Sequence, residues 1–274
     1  MKYFIKRLFV NFKNAILYKG SNYEKLKILL ISYKLLLLRT LFKSQRLISS
    51  RVYNFKVFAY NYGLIEYLFT EVFVLRDYQF KSTQKQPLII DCGANIGMSI
   101  LYFKHLYPEA KIIAFEANPG TYELLLKNIK ENSIDHVECH HLALSDTTGE
   151  ISFYHDEEKG TLHSSIIESR GGHLKVMIPT KKLSQTIAQF ESIDLIKIDV
   201  EGAEQRIIDD LYNSALLGLA KEYIIEYHHN IDSDDSSFAA FLLKFEQNGY
   251  NYNFKTSFDE IRSFQDILIH FYKN

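Results

Sequence analysis

Short apolar runs alternate with helical patterns through the last two thirds of the chain. The runs lie at 88–91, 111–116, 136–144, 195–200, 223–228, 251–255 and 266–272, and the helical stretches lie near 97–107, 120–132, 203–217 and 236–248. A continuous apolar run between two helices is typical of a parallel strand that is buried on both faces. The pattern therefore predicts an α/β domain over residues 87–274, built on a doubly wound sheet.

One segment interrupts this alternation. Residues 149–179 begin and end with strand-like sequence, EISFYH and HLKVMIP, and carry a polar loop at 156–172 between them. We expect this loop to fold over a binding site.

The first 50 residues have a different pattern. Residues 2–48 contain no proline and a single glycine, Gly20, which is followed by Ser21 and Asn22. This predicts two helices, at about 3–18 and 22–47, joined by a turn that caps the second. Residues 51–80 are rich in Tyr, Phe and Val and predict short strands, or a strand and a helical turn, in an entry module that ends with a linker before residue 87. The predicted parts are thus 1–50, 51–86 and 87–274.

The second helix has an apolar stripe interrupted by basic residues. The stripe consists of Leu26, Leu29, Leu30, Tyr33, Leu36 and Leu37. A basic amphipathic helix of this kind either lies in an anionic membrane surface or packs its stripe on its own domain or on a second copy. Both interpretations remain open at this point, so we expect either membrane-surface contact or self-association through residues 1–50.

Composition supports a globular protein and shows that its charge is divided. Apolar residues make up 47% of the 274 residues and charged residues 24%, which excludes collagen-like, disordered and disulfide-scaffold proteins. Residues 1–51 hold 12 Lys and Arg against the single acid Glu24, a charge of +11, which leaves −12 for the remainder of a chain whose net charge is −1. Two chemically different parts are joined.

Cysteine usage and hydropathy suggest the compartment. Two cysteines form neither a disulfide framework nor a zinc-binding spacing, which favours a reducing cytoplasm. The longest apolar stretch, residues 28–38, is too short to cross a bilayer, which takes about 20 residues. We expect a cytoplasmic protein, with peripheral contact at the inner face of the membrane as the open alternative. No metal site is predicted, because His140 and His141 point to opposite faces of a strand.

The strongest chemical signal directly follows the first buried strand. Residues 91–99, DCGANIGMS, place a glycine-rich turn between a strand and a helix, where the backbone can approach a ligand and the helix N-terminus offers free N–H groups. The dinucleotide fingerprint begins with glycine, whereas this turn begins with Asp91. A carboxylate at this position would repel a diphosphate and suits a cationic ligand that bears hydroxyl groups.

Two further turns fit the same ligand. Glu116 ends the second strand, where a carboxylate can accept hydrogen bonds from both hydroxyls of a ribose. Asn118 begins the turn into the next helix. Ala143, Leu144 and Asp146 end the third run, where small and apolar residues and one acid would hold an adenine ring and its amine.

These motifs resemble those of a known family. DCGANIGMS, FEANP at 115–119, HLALSD at 141–146 and IKIDVEGAE at 196–204 are together similar to the FkbM family of class I S-adenosylmethionine-dependent methyltransferases. The family usually shows Glu-Pro-x-Pro where this chain has Glu-Ala-Asn-Pro. The resemblance implies a Rossmann-like seven-stranded sheet in the order 3-2-1-4-5-7-6, with strand 7 antiparallel. It also implies methyl transfer from S-adenosyl-L-methionine to a hydroxyl of a sugar, glycan or secondary metabolite.

The resemblance also implies which residues form the cofactor site. The residues that match it are Asp91, Gly93, Asn95, Gly97, Ser99, Glu116, Ala117, Asn118, Ala143, Leu144, Asp146 and Asp199.

Methylation of an alcohol needs a base, and strand ends supply the candidates. Asp199, Glu226 and His228 lie at the carboxyl ends of predicted strands, and Glu201 is expected to orient the base or bind the acceptor. Glu204 is expected to favour the helix dipole instead. In the polar loop, His163, Ser164 and Ser165 are predicted to bind the acceptor, together with Thr161.

Other functions fit the sequence less well. The principal alternative is a non-catalytic, methyltransferase-like module that docks on a membrane or an assembly through its basic helices. A nicotinamide-dependent oxidoreductase is opposed by Asp91. We expect no nucleic-acid partner, because the second half is acidic and has no aromatic-basic RNA-binding motif.

Overall fold

The chain folds around a seven-stranded sheet in a computed structural model, which describes residues 2–43, 46–156, 164–231, 237–256 and 264–273. The helices are α1 (Lys2–Leu17), α2 (Asn22–Leu41), α3 (Tyr62–Phe69), α4 (Met98–Leu106), α5 (Pro119–Glu131), α6 (Leu183–Ile187), α7 (Glu204–Asn213) and α8 (Phe238–Gln247). A π-helix (Thr70–Leu75) continues α3, and a short 3₁₀ turn (Leu217–Leu219) precedes the fifth strand of the main sheet.

The strands form three sheets. They are β1 (Ile48–Val52), β2 (Phe55–Ala59), β3 (Leu88–Cys92), β4 (Lys111–Glu116), β5 (Val137–His141), β6 (Ala143–Leu144), β7 (Gly149–His155), β8 (Leu174–Lys181), β9 (Ile193–Ile198), β10 (Ala220–His229), β11 (Asn251–Thr256) and β12 (Gln265–Tyr272). The main sheet has the order β11-β12-β10-β9-β3-β4-β5, and β12 runs antiparallel to both of its neighbours. The predicted order, with its antiparallel seventh strand, is confirmed.

The buried strands follow from their sequences. All six residues of β9 are buried, as are all but the first residue of β4, because helices cover both faces of the sheet at these positions. Helices α4 and α5 begin and end within two residues of the predicted bounds. Helix α7 ends at Asn213 rather than near 217, since the chain turns there into the 3₁₀ segment.

The interruption between the third and fourth main strands forms a small sheet of its own. β7 pairs antiparallel with β8, and β6 pairs parallel with β8, so the predicted strand-like ends are confirmed. The short helix α6 follows β8 and was not predicted.

The N-terminal segment forms the two predicted helices. Ser21 caps α2 in a reciprocal capping box with Glu24, which confirms the start of this helix, although α2 ends at Leu41 rather than near 47. The apolar stripe packs on the protein only in part. Leu26, Leu30 and Leu37 are exposed, whereas α2 buries Leu36 of the stripe together with Ile28, Ser32 and Leu35.

The core joins the N-terminal elements to the main sheet. One apolar cluster runs from α2 through the β1–β2 hairpin and α3 to the side chains of β3 and α4. A second cluster fills the other face, between the sheet and α7 and α8. Within the described residues, no helix is long and apolar enough to cross a membrane.

Candidate functional site

The turn after β3 is held in a conformation that favours glycine. Gly93 has φ +84° and Gly97 has φ +88°, and the non-glycine Asn95 between them has φ +51°. A Cβ atom on Gly93 would lie 1.8 Å from the backbone oxygen of Asp199, so no side chain fits. Gly97 is the N-cap of α4, and the first N–H groups of this helix therefore lie next to the same turn. Gly93 therefore allows close contact between the β3 and β9 turns.

Asp91 stabilises this turn through its contacts with Ser99 and Lys197. Its side chain is fully buried; one carboxylate oxygen accepts a hydrogen bond of 2.5 Å from the Ser99 hydroxyl, and the other lies 3.4 Å from the ammonium of Lys197. Lys197 also donates to the Gly93 carbonyl at 2.6 Å. Asp91 does not line the cavity described below, whereas Ser99 does.

Glu116 lies at the end of β4 and faces the same turn. One carboxylate oxygen accepts the Asn95 N–H and the other the Asn118 N–H, each at 2.8 Å. Burial raises the pKa of Glu116 to about 7, against the lowering effect of these two hydrogen bonds. The two backbone donors hold both oxygens in place, and the remaining lone pairs are available to a ligand.

The next turn contributes the opposite wall. Asn118 caps α5 through its side-chain oxygen, and its amide donates to the Ser164 hydroxyl at 3.0 Å. The Ser164 side chain lines the cavity together with the residues of this wall, which are Ala117, Asn118, Leu142, Ala143, Leu144, Phe153 and Ile166. Asp146 is exposed, accepts a hydrogen bond from Ser145 and does not line the cavity.

Two carboxylates at strand ends, those of Asp199 and Glu226, line the cavity and differ in their hydrogen-bond partners. Asp199 is held by the Tyr78 hydroxyl, which donates to it at 3.0 Å, and by Lys197, whose ammonium lies 3.4 Å away. Glu226 also lines the cavity, but the described residues give its carboxylate no hydrogen-bond partner. Burial, followed by the negative charge of Asp199, raises the pKa of Glu226 well above its usual value.

His228 is enclosed by carboxylates. Its Nδ1 lies 2.8 Å from Glu204, and its Nε2 lies 3.3 Å from Glu201, whose Oε2 also contacts the Nε and Nη2 of Arg170. Burial on its own would lower the pKa of His228, but Glu204 and Glu201 raise it to about 10, so the ring is an imidazolium at neutral pH. An imidazolium cannot accept a proton.

Glu204 combines two roles. It begins α7, where an acid favours the helix dipole, and it accepts the Gly202 N–H at 2.9 Å. The predicted structural role of Glu204 is thus present, and its contact with His228 was not predicted.

The polar loop falls partly outside the described residues. Thr161 and His163 are not described, and Ser164 lines the cavity. Ser165 is fully buried and donates to the Glu201 carbonyl at 2.5 Å, so it supports the β9–α7 turn rather than facing the cavity.

Within the described residues, acidic side chains predominate in the lining of the cavity. Two basic side chains line it, Lys197 and Arg170, against six acids: Glu71, Glu116, Asp199, Glu201, Glu226 and Asp266. Burial raises the pKa of Glu71, Glu116 and Glu201 to about 7, and a cationic ligand would favour the charged form of these acids.

Several lining residues were missed from the sequence. Tyr67, Glu71 and Tyr78 come from the entry module, Arg170 from the loop between β7 and β8, and Asp266 from the start of β12. Nothing in their local sequence marks them. Lys197 did carry a signal, because a lysine within the apolar run LIKIDV occupies a buried strand position, where an unpaired charge is costly.

Three of the expected residues could also hold a cation. Asp199, Glu226 and His228 each offer one ligand atom, and these atoms lie within 4.8 Å of one another. No metal site was predicted from the sequence, because these residues lie on two different strand ends that only the sheet brings together.

Comparison with known proteins places this site in a family. Residues 91–252 match the model of the methyltransferase FkbM domain. The chain is 31% identical over 174 residues to the methyltransferase sdnD of Sordaria araneosa, which covers 52% of this chain and 67% of that protein. It is 30% identical over 139 residues to the 2-O-methyltransferase NoeI of Sinorhizobium fredii, which covers 44% of this chain and 56% of that protein.

A solved structure agrees in fold. Methyltransferase FkbM from Methylobacillus flagellatus superposes with a TM-score of 0.50 at 12% identity, over 97% of this chain and 59% of that one.

Proposed function

Because the chain belongs to the FkbM methyltransferase family, we propose that it is an S-adenosyl-L-methionine-dependent O-methyltransferase whose acceptor is a hydroxyl of a sugar, a glycan or a secondary metabolite. The observation that carries this proposal is the acidic cavity at the carboxyl ends of β3, β4, β9 and β10. Ligands of doubly wound sheets bind at this edge. The name of the relative NoeI, a 2-O-methyltransferase, supports oxygen as the atom that is methylated.

The residues of the β3 and β4 turns fit this cofactor. Glu116 offers lone pairs to ribose hydroxyls, and Ala143, Leu144 and Leu142 form an apolar wall suited to adenine. Gly93 and Gly97 place no side chain in the turn, and Asn95 and Ser99 line the cavity beside it. Asp91 acts on the turn through Ser99 and Lys197 rather than by contact with the ligand.

When bound, S-adenosyl-L-methionine supplies a methyl group on a positively charged sulfur. Glu226 is our choice of general base among the strand-end candidates, since its carboxylate faces the cavity without a hydrogen-bond partner in the described chain. It would take the proton of the acceptor hydroxyl, whose oxygen would receive the methyl group that the bound cofactor supplies.

The other candidates have supporting roles. Asp199 is held by Tyr78 and Lys197 and adds negative charge next to the cation. The His228 imidazolium, fixed by Glu204 and Glu201, limits the repulsion between Glu226 and Asp199. The side chains that line the cavity would orient the acceptor oxygen towards the methyl group, and much of the rate would come from this positioning.

The acceptor side is formed by the entry module and the polar loop. Tyr67, Glu71 and Tyr78 line the cavity from one side and Ser164 and Arg170 from the other. Hydroxyl, carboxylate and guanidinium groups are the partners that a hydroxyl-rich acceptor needs. The predicted acceptor contact of His163 stays a prediction, whereas the buried Ser165 supports the β9–α7 turn instead.

The division of the chain into a basic helical extension (1–50), an entry module (51–86) and a catalytic domain (87–274) is also a proposal. The cytoplasmic assignment rests on the two cysteines, both of which are free.

Calorimetry with S-adenosylhomocysteine tests the cofactor proposal directly. We expect binding by the full chain and a loss of about tenfold or more in Glu116→Gln, because one charged hydrogen-bond acceptor is removed. Glu138→Gln, on the exposed side of the neighbouring strand β5, is the matched control. An absence of binding by the unmodified chain would instead support the non-catalytic module.

Transfer of a labelled methyl group tests the reaction. The full chain is incubated with labelled cofactor and a panel of monosaccharides, oligosaccharides and hydroxylated polyketides. Product that retains the label after alkaline treatment, as an ether does and an ester does not, supports O-methylation of a hydroxyl. Label found only on nitrogen or carboxyl groups would contradict it.

A further inference from the structure

Helix α1 exposes a stripe of large apolar side chains. Ile5, Phe9, Phe12 and Ile16 are 47%, 71%, 50% and 53% exposed. With 3.6 residues per turn, the four lie within an arc of about 60° on one side of the helix. A helix that packed only on its own protein would turn such residues inward.

Helix α2 repeats this arrangement. Its exposed stripe consists of Tyr23, Leu26, Leu30, Leu37 and Leu41, which are 50% to 73% exposed and again share one side. The buried residues Ile28, Leu35 and Leu36 lie on the other side of the same helix. On α2 the buried and the exposed apolar residues thus lie on different sides, and on α1 the exposed stripe is separate from the buried Asn11 and Ala15.

The double stripe exceeds what a protein surface normally shows. Single exposed apolar residues are common, but contiguous exposed apolar patches mark sites of interaction. Four large side chains on α1 and five on α2, two helices that pack against each other, together form an exposed apolar surface. We call it the α1–α2 apolar surface.

Charge indicates what covers this surface. Lys6, Lys13 and Lys34 are exposed beside the stripes, and residues 1–51 as a whole carry +11. Glu24, the one acid of this segment, is occupied by the hydrogen bonds of the capping box. A second copy of the protein would bring the same positive charge against this surface and would repel it. An anionic lipid surface attracts the lysines and accepts the apolar side chains.

We propose that α1 and α2 dock the protein on the surface of an anionic lipid bilayer. The apolar stripes lie among the upper acyl chains, and the lysines extend to the phosphate groups of the lipids. Neither described helix is long and apolar enough to span the bilayer, which agrees with helices that lie along the surface.

Ion pairs join the α1–α2 apolar surface to α3, which lines the cavity. Arg7 of α1 and Arg39 of α2 both bind the carboxylate of Glu66 in α3, which is 1% exposed, at 2.9 and 3.0 Å. Tyr67 and Glu71, next to this ion pair along the chain, line the cavity. The helix pair is thus a fixed part of the catalytic unit, so docking also sets the orientation of the cavity relative to the membrane.

Vesicle co-sedimentation of the full chain tests the proposal. The probes are vesicles of phosphatidylcholine alone and of phosphatidylcholine mixed with phosphatidylglycerol. We expect binding to the anionic vesicles that weakens as salt is raised, and much weaker binding to the neutral ones. Phe9→Ser combined with Phe12→Ser should reduce the partition coefficient by about tenfold or more, since it removes two inserted aromatic side chains.

A matched control distinguishes insertion of α1 from nonspecific adsorption through exposed apolar side chains. Leu243→Ser combined with Phe254→Ser removes two apolar side chains of similar exposure, 49% and 60%, from the other end of the chain, and should leave binding unchanged. Lys6→Glu combined with Lys13→Glu should abolish the preference for anionic vesicles. Thermal unfolding of each variant confirms that the fold is retained.

Three results would overturn the proposal. One is a failure of the unmodified chain to bind anionic vesicles at low salt. Another is an equal loss in the control variant. The third is a stable dimer in light scattering that Phe9→Ser with Phe12→Ser converts to monomers, which would assign the surface to a second copy.

Discussion

The ammonium of Lys197 lies 3.4 Å from the carboxylate of Asp91, and the two side chains are 2% and 0% exposed. Lys197 lies at the same distance from Asp199 and 5.0 Å from the centre of the Tyr78 ring. Asp91 and Asp199, on different strands, thus share one buried cation. The carboxylates raise the pKa of Lys197 above its usual value despite the opposing effect of burial, which keeps the lysine charged.

Replacement of Lys197 by Met should strongly destabilise the protein. It leaves two carboxylates without their shared cation, so the free energy of unfolding should fall by about 3–5 kcal/mol. Denaturant titration measures the change. Lys221→Met, which breaks an ion pair with Asp194 at a half-exposed lysine, is the control and should cost less than about 1 kcal/mol. Equal effects in the two variants would contradict the central role of Lys197.

Gly93→Ala should damage both the fold and cofactor binding. The new Cβ would meet the backbone oxygen of Asp199, and φ +84° adds strain of about 1–3 kcal/mol. We expect a lower melting temperature and weaker binding of S-adenosylhomocysteine. In Gly120→Ala the new Cβ would lie 3.5 Å from its nearest neighbour, an ordinary contact, so this control should keep both properties. Unchanged binding in Gly93→Ala would show that the turn does not approach the ligand.

Glu226→Gln should reduce turnover by about 10²–10⁴-fold while binding of S-adenosylhomocysteine is kept, because the amide cannot accept the proton. Glu222→Gln makes the same change on the same strand, outside the cavity, and should be nearly neutral. Full turnover in Glu226→Gln would transfer the role of base to Asp199, for which Asp199→Asn is the corresponding test.

The pH dependence of turnover gives an independent test of Glu226. Burial and Asp199 raise its pKa, so the carboxylate is protonated, and inactive as a base, over a wider range of pH than an ordinary glutamate. Activity should therefore fall as pH is lowered through a value well above 4.5, the usual pKa of a glutamate. The residual activity of Glu226→Gln should lack this acidic limb. A limb that persists unchanged in the variant would assign it to another group.

Chelation of divalent cations should leave turnover unchanged. Although Asp199, Glu226 and His228 lie close enough to hold a cation, both ring nitrogens of His228 already face carboxylates, those of Glu204 and Glu201. Activity is measured before and after treatment with EDTA. A loss that Mg²⁺ or Mn²⁺ restores would contradict this prediction and make the three residues a metal site.

Local sequence patterns were sufficient for the main strands and helices along the chain, except for the short helix α6. The bounds of β4 match the apolar run 111–116, because a strand that is buried on both faces must be apolar throughout. The turn at residues 91–99 could be recognised because positive φ angles and a close backbone approach require glycine. The similarity of four such motifs to one family then implied the sheet order that the structure has.

Contacts between distant parts of the chain were decided only by the tertiary structure. Tyr78 and Asp199 are 121 residues apart, and no local pattern links them. The sequence suggested His228 as a base, but its pKa depends on Glu204 and Glu201, which the β9–α7 turn brings to its ring. Likewise, composition showed that the first 51 residues are basic, and only packing decided that Phe9 and Leu30 face outward. Periodicity identifies the apolar positions of a helix, whereas their exposure depends on which side the rest of the protein covers.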